Sequence, residues 1–200
     1  METVLVMGIV IFALSSIYFS FMHRRAFNTA ALVSLVTIAS YIVMLEGSFV
    51  VGSAEAETVF YTRWLFYALS CSLLMYEIGR SLKFSKDEIA TVVYLINFVM
   101  ITGALAAVFT EGYMLAMFVV SSLGYSALVY KLVKAKSKNL NFVLRYIIFG
   151  WTVFPLVFFF APEGYGLISA TTAAGAYLLL DIFTKIIFYI DGDNRKALKP

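Results

Sequence analysis

The chain has 200 residues, 62% of them hydrophobic and 17% aromatic, with a formal net charge of +3 and a mean hydropathy of +0.91. Charged residues make up 14%, against roughly 25% in ordinary soluble domains. That balance excludes a soluble globular protein.

A membrane-crossing helix needs about 20 mostly apolar residues. Seven such runs follow one another, over 4–22, 29–51, 58–82, 89–109, 113–133, 142–161 and 166–190. The first has no charged n-region and no convincing small-residue cleavage site, so it reads as a helix and not as a cleaved signal. The connections are only a few residues long, which makes neighbouring helices antiparallel. The predicted fold class is an all-α membrane protein, one seven-helix bundle over residues 1–200, with no room for a soluble domain.

The loops orient the bundle. Arg24 and Arg25 follow the first run, and Arg80, Lys83 and Lys86 flank the turn after the third. Lys131, Lys134, Lys136, Lys138 and Arg145 surround the turn after the fifth, and Arg195, Lys196 and Lys199 form the tail. The opposite loops carry Glu55, Glu57, Glu111 and Glu163 and neither Lys nor Arg. By the positive-inside rule the N-terminus faces out and the tail faces the cytoplasm, in a multi-pass protein of the cell membrane. The net charge is a consequence of this topology. Basic groups scattered over several turns make no nucleic-acid patch, so lipid is the expected surrounding partner.

The single cysteine, Cys71, rules out an intrachain disulfide, a zinc cluster and CxxC redox chemistry. His23, the only histidine, sits at a helix end among arginines and reads as a solvated interfacial residue. There is no Gly-rich phosphate loop, internal repeat or metal-ligand spacing, and no enzyme activity is expected.

Four ionisable groups are left once the loops and interfaces are set aside: Arg63, Glu77, Asp181 and Lys185. Charges at membrane depth are expensive and mark function by default. Arg63 and Glu77 lie 14 residues apart on the third helix, about 21 Å of rise. The competing readings are an Arg63 that snorkels to the outer surface, and a Glu77 that reaches the inner interface or pairs with Arg80. Asp181-Ile-Phe-Thr-Lys185 lies inside an otherwise apolar run, and its spacing of four puts both charges on one helical face. A bare structural ion pair is the plain alternative, but such a pair stabilises poorly relative to apolar packing. An amine in apolar surroundings is well placed to form a Schiff base with a carbonyl. The pair therefore reads as an aldehyde-binding lysine with its counterion. Trp151, Phe154, Pro155 and Phe158 share one face of the sixth helix. Pro155 removes a backbone hydrogen bond and is expected to kink that helix, opening space for a long, flat apolar ligand.

These motifs, in this order and spacing, resemble the microbial rhodopsins over nearly the whole chain. Asp181-Ile-Phe-Thr-Lys185 is similar to that family's helix-7 signature. Trp151-Thr-Val-Phe-Pro155-Leu-Val-Phe158 and Glu163-Gly164-Tyr-Gly166 resemble its helix-6 stretch and the turn after it, and Arg63 matches its helix-3 arginine. The resemblance implies all-trans retinal as a covalent Schiff base on Lys185, with Asp181 as counterion and Arg63 supporting it. Helix 3 departs from the outward proton pumps, because Phe66 stands where those place an acidic acceptor. Phe66, Ser70 and Glu77, with Cys71 beside the serine, are similar to the schizorhodopsins, light-driven inward proton pumps. On that likeness Glu77 assists proton release to the cytoplasm, Ser70 and Cys71 tune the retinal environment or the inner path, and the assembly is a homotrimer. Matching the family's pocket adds Tyr67, Asn97, Met100, Gly103, Phe118, Ser121, Ser122 and Tyr125 as retinal-lining positions. An outward pump, a sensory photoreceptor with a separate transducer, and a carrier using Asp181 and Lys185 as a substrate clamp stay open.

Overall fold

The computed structural model describes residues 1–22, 28–47, 62–109 and 111–198. His23, Arg24, Arg25, Glu55, Glu57 and Lys199 lie outside the described residues, as does the side chain of Glu111. Seven helices make up the described chain: α1 Glu2–Met22, α2 Thr29–Leu45, α3 Thr62–Ser81, α4 Lys86–Val108, α5 Glu111–Val133, α6 Leu140–Phe160 and α7 Ala170–Asn194. No strand occurs among the described residues. Five of the helices, α1 and α4 to α7, are long and apolar enough to cross a membrane by length and composition alone. The α2 helix is shorter, at 17 residues, and α3 is more polar because it carries Arg63, Glu77 and Arg80. The fold is a multi-pass membrane bundle.

Caps explain where the helices begin. The α4 helix starts three residues before its predicted apolar run, because Ser85 and Glu88 form a reciprocal capping box. The α7 helix starts at Ala170 and not at residue 166, because Ser169 accepts from the Thr172 amide at 3.2 Å. It also runs past residue 190 to Asn194, where Tyr146 and Arg195 both bond Asp191. Asn28 accepts from the Ala31 amide and donates to the Phe19 carbonyl, fixing the start of α2 against the last turn of α1.

Consecutive helices pack on one another from α1 to α7, and α7 returns against α1 and α2 to close the bundle. Two π-helical segments interrupt the last pair, Arg145–Trp151 in α6 and Ile182–Ile187 in α7. The distortion expected at Pro155 thus lies in the turn before it. Wide turns leave backbone carbonyls open to side chains, and Tyr125 Oη donates to the Ile147 carbonyl at 2.7 Å.

The two π segments touch, and Gly150 makes that contact possible. A Cβ there would stand 2.5 Å from Thr184 Cγ2, one residue before Lys185. Gly150→Ala is therefore expected to destabilise the bundle by about 1–3 kcal/mol, read as a lower unfolding temperature in detergent. Gly175→Ala, where an added Cβ meets nothing within 4 Å, should leave that temperature unchanged or raise it.

A buried lysine, its carboxylate and an aromatic cavity

Lys185 and Asp181 are 2% and 1% exposed. Their Nζ and Oδ1 lie 2.7 Å apart as an ion pair, although the approach lacks hydrogen-bond alignment and no other described donor reaches Oδ1. The second oxygen is better served. Tyr67 Oη donates to Asp181 Oδ2 at 2.9 Å and Tyr41 Oη donates to the same atom at 3.1 Å. The amine donates to Thr37 Oγ1 at 3.2 Å and lies 4.3 Å from the centre of the Tyr67 ring. Tyr67 thus serves both charges at once: its hydroxyl meets the anion and its ring face meets the cation.

A cavity of about 710 Å³, including its mouth, opens beside this pair. Tyr67 and Cys71 line it from α3, Met100 and Gly103 from α4, and Phe118, Ser121, Ser122 and Tyr125 from α5. Trp151, Phe154, Pro155 and Phe158 line it from α6, with Asp181 and Lys185 from α7. The aromatic rings brace one another: Phe154 meets Tyr67 edge-on at 5.5 Å, and Phe158 stacks on Phe118 at 5.7 Å. Trp64, Val99, Ala106 and Thr184 complete the lining and were not legible as such. Trp64 carried a usable signal, because it lies seven residues, two helical turns, before Cys71.

Several expected positions stand elsewhere. Asn97 is not a lining residue; its amide donates to Ser72 Oγ at 2.6 Å and to the Val93 carbonyl, joining α4 to α3 beside the cavity. Ser70 is buried outside the lining, with its hydroxyl 3.5 Å from the Tyr67 carbonyl. Phe66 is half-buried and outside the lining as well. Arg63 does not pair with Asp181. Its guanidinium lies 3.7 Å from Glu163 and 4.1 Å over the Tyr177 ring, and Tyr177 Oη donates to Glu163 at 2.8 Å.

Glu163 is therefore more than a loop charge, since its side chain is only 7% exposed. The turn after α6 presses it inward: Gly164 and Gly166 both donate to the Ala161 carbonyl, and Gly166 adopts a φ of +64°. A Cβ on Gly164 would stand 2.3 Å from the Phe158 carbonyl, so that turn requires glycine.

At the opposite end of α3, Glu77 accepts from Thr29 Oγ1 at 2.7 Å and lies 3.8 Å from Arg80. Glu77 is buried, and of its two competing readings the pairing with Arg80 is the one the structure contains.

A bacteriorhodopsin-like family model matches residues 1–190. The chain belongs to the bacteriorhodopsin-like family. This rhodopsin is 27% identical to sensory rhodopsin-2 of Natronomonas pharaonis over 177 residues, 83% of this chain and 74% of the relative. It is also 27% identical to bacteriorhodopsin of Haloterrigena sp. (strain arg-4), over 78% of this chain and 69% of the relative. Among solved structures it resembles schizorhodopsin 4, with a TM-score of 0.91 and 33% identity over 100% of this chain and 99% of that one. Halorhodopsin, a light-driven chloride pump, shares the fold at a TM-score of 0.86 and 20% identity, over 98% of this chain and 97% of that one.

The protein is thus a microbial rhodopsin, a light-driven ion pump or a light sensor, and its family implies a retinal chromophore. The residues fit such a group. The cavity wall is almost wholly apolar and aromatic, and one primary amine borders it beside a carboxylate.

The shared Oδ2 contact gives a test that needs no chromophore. Tyr41→Phe and Tyr67→Phe should each lower the stability of the retinal-free protein by about 1–3 kcal/mol. The double variant should lose more than the sum, because only then does a buried anionic oxygen lack both donors. Strict additivity in denaturant unfolding would show that the two phenols act independently.

Proposed function

We propose that this rhodopsin is a light-driven inward proton pump, with its N-terminus outside and its C-terminus in the cytoplasm. Lys185 Nζ is the attachment point for retinal, held between the α3 and α4 side chains and the α6 aromatic face. When bound there, retinal would supply a light-driven change of shape and a displacement of positive charge relative to Asp181.

The observation that carries the reading is the state of Asp181. Its Oδ2 already receives two phenol hydrogen bonds and its Oδ1 already faces Lys185. A proton arriving at Oδ2 would have to displace a phenol, and one arriving at Oδ1 would sit against the Lys185 amine. Phe66, at the α3 position where outward pumps place an acidic acceptor, offers no alternative. A proton leaving the Lys185 region toward the Arg63 end thus lacks an open acceptor near the lysine. Toward the other end lies Glu77, buried, held by Thr29, and within 3.8 Å of the partly exposed Arg80 that leads to the surface. Arg63, Glu163 and Tyr177 form a closed ionic cluster at the outer end. Its role is to hold α3, α7 and the α6–α7 turn in register and to control access of water from outside. The 33% identity to schizorhodopsin 4 over the full chain supports the same reading.

Light on unbuffered cells making the protein with added all-trans retinal should raise the external pH, and a protonophore should abolish the change. External acidification would reverse the direction, and no signal beside a normal visible band would favour a sensor. Lys185→Ala should stay colourless with added retinal; a normal stable pigment in that variant would refute the attachment site. Glu77→Gln should keep its colour and lose most of its transport.

A further inference from the structure

Tyr189 lies one helical turn beyond Lys185 in α7, about 6 Å further along the axis. It is 4% exposed, yet its hydroxyl has no hydrogen-bond partner among the described residues. Buried hydroxyls are satisfied as a rule, because leaving one unpaired forfeits the hydrogen bonds it made to water. Packing does not explain the hydroxyl. The ring meets Phe19 edge-on at 5.7 Å and Phe188 at 5.4 Å, contacts that a phenylalanine would make equally well.

The surroundings give the hydroxyl a purpose. The Phe19 carbonyl accepts from Asn28, which caps α2, and the next residue, Thr29, donates to Glu77. Tyr189 and the Glu77 carboxylate therefore border the same joint between α1, α2, α3 and α7. No direct hydrogen bond joins the two, and a single water can bridge polar groups that do not touch.

We propose that Tyr189 Oη is the hydrogen-bonding station between Lys185 and Glu77, joined to the Glu77 carboxylate through a bridging water. The inference rests on the role given to Glu77 above. Thr29 holds that carboxylate from one side, and Tyr189 couples it to the lysine from the other. A proton reaching Oη from the Lys185 side forms one O–H bond as the phenol's own O–H breaks toward the bridge. The phenol ends neutral and one proton has moved toward Glu77. No change of redox state and no further reactant is needed.

Tyr189→Phe tests this while preserving the ring contacts. In the retinal-free protein, infrared spectra with Glu77→Gln as the assignment reference should show the Glu77 carboxyl band displaced by Tyr189→Phe. In the retinal-loaded protein, the same variant should keep the visible absorption and slow light-driven proton movement about tenfold, as for one hydrogen bond to a charged group. A Glu77 band identical in Tyr189→Phe and the parent overturns the bridge, whatever the transport rate. The infrared readout is taken in the dark without retinal. If illuminated cells acidify the medium, the direction of pumping fails while a displaced Glu77 band still upholds the link.

Discussion

The bundle is organised around an ion pair that water barely reaches. Removing Lys185 and Asp181 from solvent is costly, and their mutual attraction offsets that cost only if the remaining polar atoms are also met. The uncharged side chains around them do this work. Thr37 and Tyr41 come from α2 and Tyr67 from α3, so three helices converge on two charges. Gly8 extends the arrangement to α1, because a Cβ there would stand 2.9 Å from the Tyr41 ring. The polar centre thereby sets the register of half the bundle, in a membrane setting where apolar packing against lipid-like neighbours specifies register weakly.

The same centre needs space beside it, and the backbone supplies that space by departing from α geometry. Lys185 sits within one π segment and Trp151 ends the other. A π turn rotates the side chains that follow it relative to those before. This lets Phe154, Pro155 and Phe158 face the cavity while Gly150 admits Thr184 at close range. Tyr125 closes the account by bonding the Ile147 carbonyl in the distorted turn. Cavity, kink and lysine placement are one structural solution.

Along the bundle axis the polar groups form three stations. At one end Arg63, Glu163 and Tyr177 are mutually satisfied. In the middle Asp181 is engaged on both oxygens, and at the other end Glu77 is held by Thr29 beside the partly exposed Arg80. The asymmetry lies in how closed the stations are. The first two are occupied by partners from within the bundle, whereas the third opens toward a side chain that is 40% exposed.

The bundle was legible in the residues themselves, because a run of apolar residues long enough to span a membrane has few other folds open to it, and the family was legible through the resemblance carried by the motifs of α3, α6 and α7. Lys185 and Asp181 were legible for a related reason: a charge in such a run needs a purpose, and a spacing of four needs no tertiary structure to interpret. The α6 side of the cavity was legible through aromatic residues at helical spacing, whereas the lining positions on α4 and α5 came from the family resemblance. Helix ends were misjudged where caps and not hydropathy decide them, at Ser85 and Ser169. What only the tertiary structure decided is the partner of each charge. Glu163 looked like a loop residue until the glycine turn folded it onto Arg63, and Asn97 looked like a cavity residue until its rotation about α4 turned it to Ser72. Thr37, Tyr41 and Tyr189 carry no charge and sit in apolar runs, so nothing local distinguishes them from lipid-facing or packing residues. Their roles depend on which helices meet and at what rotation, and those angles arise from close packing between segments far apart in the chain.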